Sequence, residues 1–219
     1  MKSVFKALAI AGLAAAPAFA QDWSGSYAGV TGSVATLRTA WTDADYDWFG
    51  GTIDQRRSNF NIGLQWGRNH QKGATVLGWE LDYRPGRVYM NTDMSDFNPT
   101  ELEKTDVLRH LVTLRGRAGL AVDNALAYLT AGLARGEIKH SLIAFGNPGN
   151  SSSTPTFYNK SLGLAYGAGL EHRVSDRYSL RLEYLGVVWP TERTTTNGGA
   201  RYNEKDRVSF LTVGLNVHY

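Results

Sequence analysis

The chain of 219 residues contains no cysteine, so disulfides and thiolate metal sites are both excluded. It also lacks a working excess of one charge. Of its 23 Lys and Arg, Lys2 and Lys6 fall within the first twenty residues, and the remaining 21 face 20 Asp and Glu. That balance leaves no electrostatic footprint for nucleic acid. Long apolar runs are missing too, since the one sustained stretch, residues 7–16, is too short to cross a bilayer as a helix. A membrane protein is not thereby excluded, because a strand facing lipid on one side needs an apolar residue only at every second position.

What is present starts with an export pattern. Lys2 and Lys6 precede the apolar stretch, and Ala18-Phe19-Ala20 stands before Gln21. A charged start, a short apolar middle and a small-residue site predict a secretory signal peptide over residues 1–20, removed after Ala20. Residues 21–219 then form one domain.

Beyond it the chain alternates. Phe60, Ile62, Leu64 and Trp66 oppose Asn59, Asn61, Gly63 and Gln65, and the terminal stretch places Leu211, Val213, Leu215, Val217 and Tyr219 against Thr212, Gly214, Asn216 and His218. This period of two predicts strands with one apolar face. Eight such strands are expected, over residues 23–37, 58–69, 74–84, 106–122, 125–136, 161–174, 178–189 and 207–219. Their connections alternate long and short. The long ones, over residues 38–57, 85–105, 137–160 and from Pro190, are read as polar loops; Asp43, Asp45, Asp47, Asp93 and Asp96 in them lack calcium-loop spacing. A chain ending on a strand must pair it with one already in place, and closure onto the first strand removes both free edges.

The segments Leu77-Gly78-Trp79-Glu80-Leu81-Asp82-Tyr83, Thr113-Leu114-Arg115-Gly116-Arg117-Ala118-Gly119, Tyr128-Leu129-Thr130-Ala131-Gly132-Leu133-Ala134 and Tyr178-Ser179-Leu180-Arg181-Leu182-Glu183-Tyr184, with the aromatic C-terminus, resemble the small outer-membrane β-barrel surface antigens. These are porin-family proteins similar in architecture to OmpA/OmpX-type barrels. The resemblance implies an all-β, eight-stranded antiparallel up-and-down transmembrane barrel in the bacterial outer membrane. Long loops then face outside and short turns the periplasm. It further implies insertion by the barrel-assembly machinery reading the terminal strand at Leu211, Val213, Leu215, Val217 and Tyr219. Expected partners are outer-membrane lipids and lipopolysaccharide, the latter met by Arg38, Arg87 and Lys160, with a monomeric state.

The two faces carry separate expectations. Outward alternates meet acyl chains, and Trp66, Tyr83, Tyr178, Trp189 and Tyr219 are read as an aromatic girdle at the two interfaces. Inward alternates include Glu80, Asp82, Arg115, Arg117, Glu171, Arg181 and Glu183, with Arg109 on the same face. Such charges need partners in a dry interior, and an eight-stranded barrel is wide enough only for its own side chains. A lumen charge network is expected, with Glu80 bonded to Arg115 or Arg117 and joined by Arg181 and Glu183. No metal-type spacing links the five histidines, no cofactor is indicated, and His140 beside Ser141 makes no catalytic pair because strand neighbours point apart. The expected function is structural: envelope integrity and display of four extracellular loops around a plugged interior. A narrow porin, a loop-based adhesin or receptor and, ranked last, a lipid-modifying enzyme are the alternatives.

Overall fold

A computed structural model describes residues 21–43, 51–93, 102–144, 156–159, 162–195 and 201–219. Eleven strands run in chain order: β1 (Gly25–Asp43), β2 (Thr52–Lys72), β3 (Thr75–Arg84), β4 (Val88–Asp93), β5 (Leu102–Val122), β6 (Ala125–Ala144), β7 (Thr156–Asn159), β8 (Leu162–Arg173), β9 (Tyr178–Val188), β10 (Glu192–Thr195) and β11 (Arg201–His218). Three are continuations, so β3 with β4, β8 with β7 and β9 with β10 each make one stave of an eight-stranded closed antiparallel barrel. Pro85 marks the break between β3 and β4 and Pro190 the one between β9 and β10, as expected of a residue with no N–H for a ladder. At the first break β4 bonds to β5, while the Asn59 side chain donates to the Tyr89 carbonyl at 2.9 Å across the space towards β2.

Closure follows from the terminal strand. β11 pairs with β1 from Tyr27↔His218 to Asp43↔Tyr202, and Ser26 and Tyr219 exchange both backbone hydrogen bonds at 3.0 and 2.9 Å. One end has tight turns at Gly73-Ala74, Asp123-Asn124 and residues 174–177. Gly73 takes a φ of +60°, a conformation that costs glycine least.

The strands outrun the sequence expectation at the other end. β2 begins at Thr52 and β6 continues to Ala144, so residues read as loop at 38–43, 52–57 and 137–144 extend the hairpins. Alternation above the apolar band involves polar residues on both faces, and the hydrophobic signal disappears while the ladder persists. Among the described residues the phase also slips once. A register shift between Leu108 and Leu111 buries both leucines and turns Arg109 and His110 outward. Arg109 therefore leaves the inward face assigned to it and meets Glu137 at 3.1 Å.

The outside of the barrel carries a continuous apolar band, with Phe60, Ile62 and Leu64 on β2, Leu129 and Leu133 on β6, and Leu211, Val213, Leu215 and Val217 on β11 all exposed. Above it, towards the long connections, the outward residues become Arg38, Asp54, Arg56, Arg135, Lys205 and Arg207. The inside is layered. Trp23, Val76, Ala121, Leu126 and Tyr128 cluster at the short-turn end. A second, larger apolar layer comprises Leu37, Val88, Leu108, Leu111, Ile138, Leu185, Val187, Trp189, Val208 and Phe210 with three alanines.

Candidate functional site

Between the two apolar layers the inward positions of β3, β5, β8 and β9 converge on a charged cross-section. Glu80 is opposite Arg115 in the β3–β5 ladder and bonds to it. From the far wall Arg181 reaches Glu80 through both terminal nitrogens, at 2.5 and 2.9 Å. Glu183 takes Arg115 at 3.1 Å and also bonds Arg181, while Arg117 bonds Glu171. Three guanidinium groups thus face three carboxylates, all with side chains at most 2 % exposed. The planar forks let one arginine serve two carboxylates, which suits a closed ring of charges better than ammonium groups would.

Neutral side chains complete the ring. The Tyr27 hydroxyl donates to Glu80 at 2.7 Å and accepts from Arg117 at 3.0 Å, and Tyr128 donates to Glu183 at 2.9 Å. The Arg117 guanidinium lies 3.8 Å from the Tyr128 ring centre. Both tyrosines fit because glycine stands beside them. A Cβ at Gly67 would lie 2.5 Å from the Tyr27 hydroxyl oxygen, and one at Gly169 would collide with the Tyr128 ring. Glu171 also accepts from Asn216 at 2.7 Å and Ser179 at 2.5 Å.

The seven charged residues expected to form the lumen network are all inward and buried, Arg109 having left that face, but they do not form one unit. Asp82 bonds Arg84 at 2.9 Å, and Arg84 continues to Ser33 at 2.8 Å. Tyr27, Tyr128, Gln65, Ser179 and Asn216 were not singled out. Parity along their strands carries the signal for them, since each stands in phase with an inward charge or its partner.

On the outer face Trp66, Tyr83, Tyr178 and Tyr219 are exposed, and the Trp66 indole donates to the Tyr219 hydroxyl at 3.0 Å. Trp79, packed edge-on against Trp66 at 4.8 Å, belongs with them. Trp189 does not. It is only 5 % exposed and sits in the upper apolar layer of the lumen, because it is in phase with Arg181 and Glu183 rather than with Tyr178. Leu211, Val213, Leu215, Val217 and Tyr219 all face outward. Lys160, Asp45, Asp47 and Asp96 lie outside the described residues.

A second polar cluster closes the lumen near the long connections. His140 on β6 points inward, 4 % exposed, while its neighbour Ser141 turns away. Its Nδ1 lies 2.7 Å from Asp106 Oδ1 on β5 and 3.1 Å from Glu204 Oε1 on β11, across the barrel; Nε2 faces Asp206 Oδ2 at 3.5 Å. Thr39 on β1 donates to Asp206 at 2.9 Å. Burial disfavours a charged imidazole here, yet the hydrogen bond to Asp106 and the nearby carboxylates of Asp206 and Glu204 outweigh it and push the pKa up to about 10. Histidine spacing could not reveal this group, because its members come from three separate strands.

The clusters offer little for nucleophilic chemistry. Ser179, His218 and Glu171 are close, with Ser179 Oγ 2.8 Å from His218 Nε2. Glu171 faces that same nitrogen at 3.5 Å, whereas an orienting carboxylate belongs on the opposite ring nitrogen. Ser179 is fully buried besides.

A family model described as outer membrane protein beta-barrel domain matches residues 6–219. The chain is 28% identical over 213 residues to the 31 kDa outer-membrane immunogenic proteins of Brucella melitensis biotype 1 and Brucella suis biovar 1, covering 94% of this chain and 87% of each relative. Among solved structures it is similar to the outer membrane protein OprG of Pseudomonas aeruginosa, at 15% identity and a TM-score of 0.43, over 90% of this chain and 97% of that one. It is also similar to Ail, the attachment invasion locus protein of Yersinia pestis, at 12% identity and a TM-score of 0.45, over 90% and 99%.

Proposed function

Since the chain belongs to the outer membrane protein β-barrel domain family, we propose that it is a non-catalytic structural barrel that supports envelope integrity and displays four extracellular loops around a plugged lumen. The observation that carries this reading is the filled cross-section. Three arginines and three glutamates bridge the barrel from wall to wall, and a layer containing Trp189, Phe210 and Leu185 lies beyond them. An ion entering from outside has to shed water in an apolar layer before it reaches paired charges, and both steps oppose passage. The surface-antigen role is supported by the curated Brucella relatives, which are described as immunogenic.

The remaining parts of the proposal follow the family. Residues 1–20 serve as a signal peptide removed after Ala20. The outward row from Leu211 to Tyr219 is the feature that the barrel-assembly machinery reads, and the barrel works as a monomer. Lipopolysaccharide phosphates are met by Arg38, which also pairs with Asp54, by Arg87 and by Lys160. Reconstitution into planar bilayers tests the plug: the purified barrel should show no unitary conductance in molar salt, and stable steps would replace this reading with that of a narrow channel.

A further inference from the structure

The cluster at the mouth of the lumen lies apart from the charged cross-section, with the upper apolar layer between them. His140 and its three carboxylates come from β5, β6 and β11, so they are held at fixed separation by the barrel wall rather than by a loop. One ligand atom each from Asp106, His140 and Glu204 lies within 4.8 Å of the other two. Zinc binds imidazole nitrogen and carboxylate oxygen at about 2.0–2.2 Å, which puts tetrahedral neighbours roughly 3.3 Å apart. Nδ1 shares a hydrogen bond with Asp106 at 2.7 Å and faces Glu204 at 3.1 Å; a cation replacing that proton needs the Asp106 oxygen to move out by only about 0.6 Å.

The other side of the imidazole supplies the second observation. Nε2 is buried and makes no hydrogen bond of normal geometry, but it points at the Asp206 carboxylate 3.5 Å away, which Thr39 holds in place. A metal-bound histidine typically gives its remaining N–H to a carboxylate, fixing the tautomer and the ring. Here that carboxylate stands on the correct side of the ring.

We propose that Asp106, His140 and Glu204 bind a divalent transition-metal cation through His140 Nδ1 and one oxygen of each carboxylate, with Asp206 and Thr39 orienting the ring. The mixed nitrogen and oxygen set selects a borderline cation such as zinc over magnesium, which prefers an all-oxygen shell. Glu204, half-buried at the rim, is the entry side, and the cation ties β11 to β5 and β6 across the opening.

Isothermal calorimetry tests this on the untagged full chain extracted in detergent and stripped with chelator, using zinc chloride as the probe and magnesium chloride in parallel. One saturable zinc site per chain is expected, with no magnesium binding. Its affinity should fall at least tenfold in Glu204→Gln and in His140→Ala and stay unchanged in His110→Ala/His172→Ala, whose rings face outward. Because His140→Ala removes a buried group, Glu204→Gln decides if that variant does not fold. Absence of saturable zinc binding, or an affinity unchanged in Glu204→Gln, overturns the proposal.

Discussion

Arg115 shows how the interior depends on single side chains. It satisfies Glu80 and Glu183 together, so Arg115→Ala leaves two buried carboxylates short of a partner. Removing one member of a buried pair costs about 3–5 kcal/mol, and the barrel should unfold at a clearly lower temperature in detergent, as followed by circular dichroism. His140 carries a pH dependence of opposite sense to that of a paired carboxylate. Its pKa rises from 6.5 to about 10 on folding, so the folded state holds the proton more tightly. The resulting stabilisation is complete below pH 6.5 and is lost as pH climbs through 10. With chelator present, the advantage of the native chain over His140→Gln in thermal unfolding should shrink steadily between pH 6 and 10. A constant difference across that range would rule out the charged imidazole.

For a strand, the rule that matters is parity. On β11 the odd positions from Leu211 to Val217, and Tyr219 just beyond the strand, face outward, and the even ones, Thr212, Gly214, Asn216 and His218, face the lumen. Val213→Arg places a charge within the lipid-facing band and should destabilise the barrel in vesicles by about 2–4 kcal/mol, read by urea titration. Arg207 stands on the same face above the band; replacing it with alanine should leave that titration unchanged. Gly169→Leu on β8 should displace the Tyr128 ring and its bond to Glu183, lowering stability without changing the outer surface. Parity was readable in the sequence for most staves, including the inward direction of Glu80, Arg115 and Arg181. It failed at the slip between Leu108 and Leu111, because an added residue leaves no mark on composition while it reverses every side chain beyond it. Trp189 follows the strand phase inward although its aromatic character matches an interface.

The whole barrel has a direction that can be measured because the chain has no cysteine. A membrane-impermeant maleimide applied to intact cells should label Thr52→Cys, at the start of β2 near a long connection, and spare Lys72→Cys at the other end of the same strand. The reverse pattern would invert the topology. The same polarity separates the two polar clusters, one enclosed by apolar layers and the other opening at the outer rim.

Local pattern along the chain was enough to establish the eight staves, the lipid-facing row of most of them and the closure of the last strand upon the first, since a period of two needs only neighbouring residues to be expressed. Three-dimensional closure settled the rest: which arginine meets which glutamate, the apolar layer around Phe210 and Trp189, and the meeting of Asp106, His140 and Glu204. Beyond the ladder pairs Glu80–Arg115 and Asp106–His140, the decisive contacts, Arg181 with Glu80, Arg115 with Glu183 and His140 with Glu204, join strands that are not neighbours. They depend on stagger and tilt around the ring, and no single stretch of sequence holds that information.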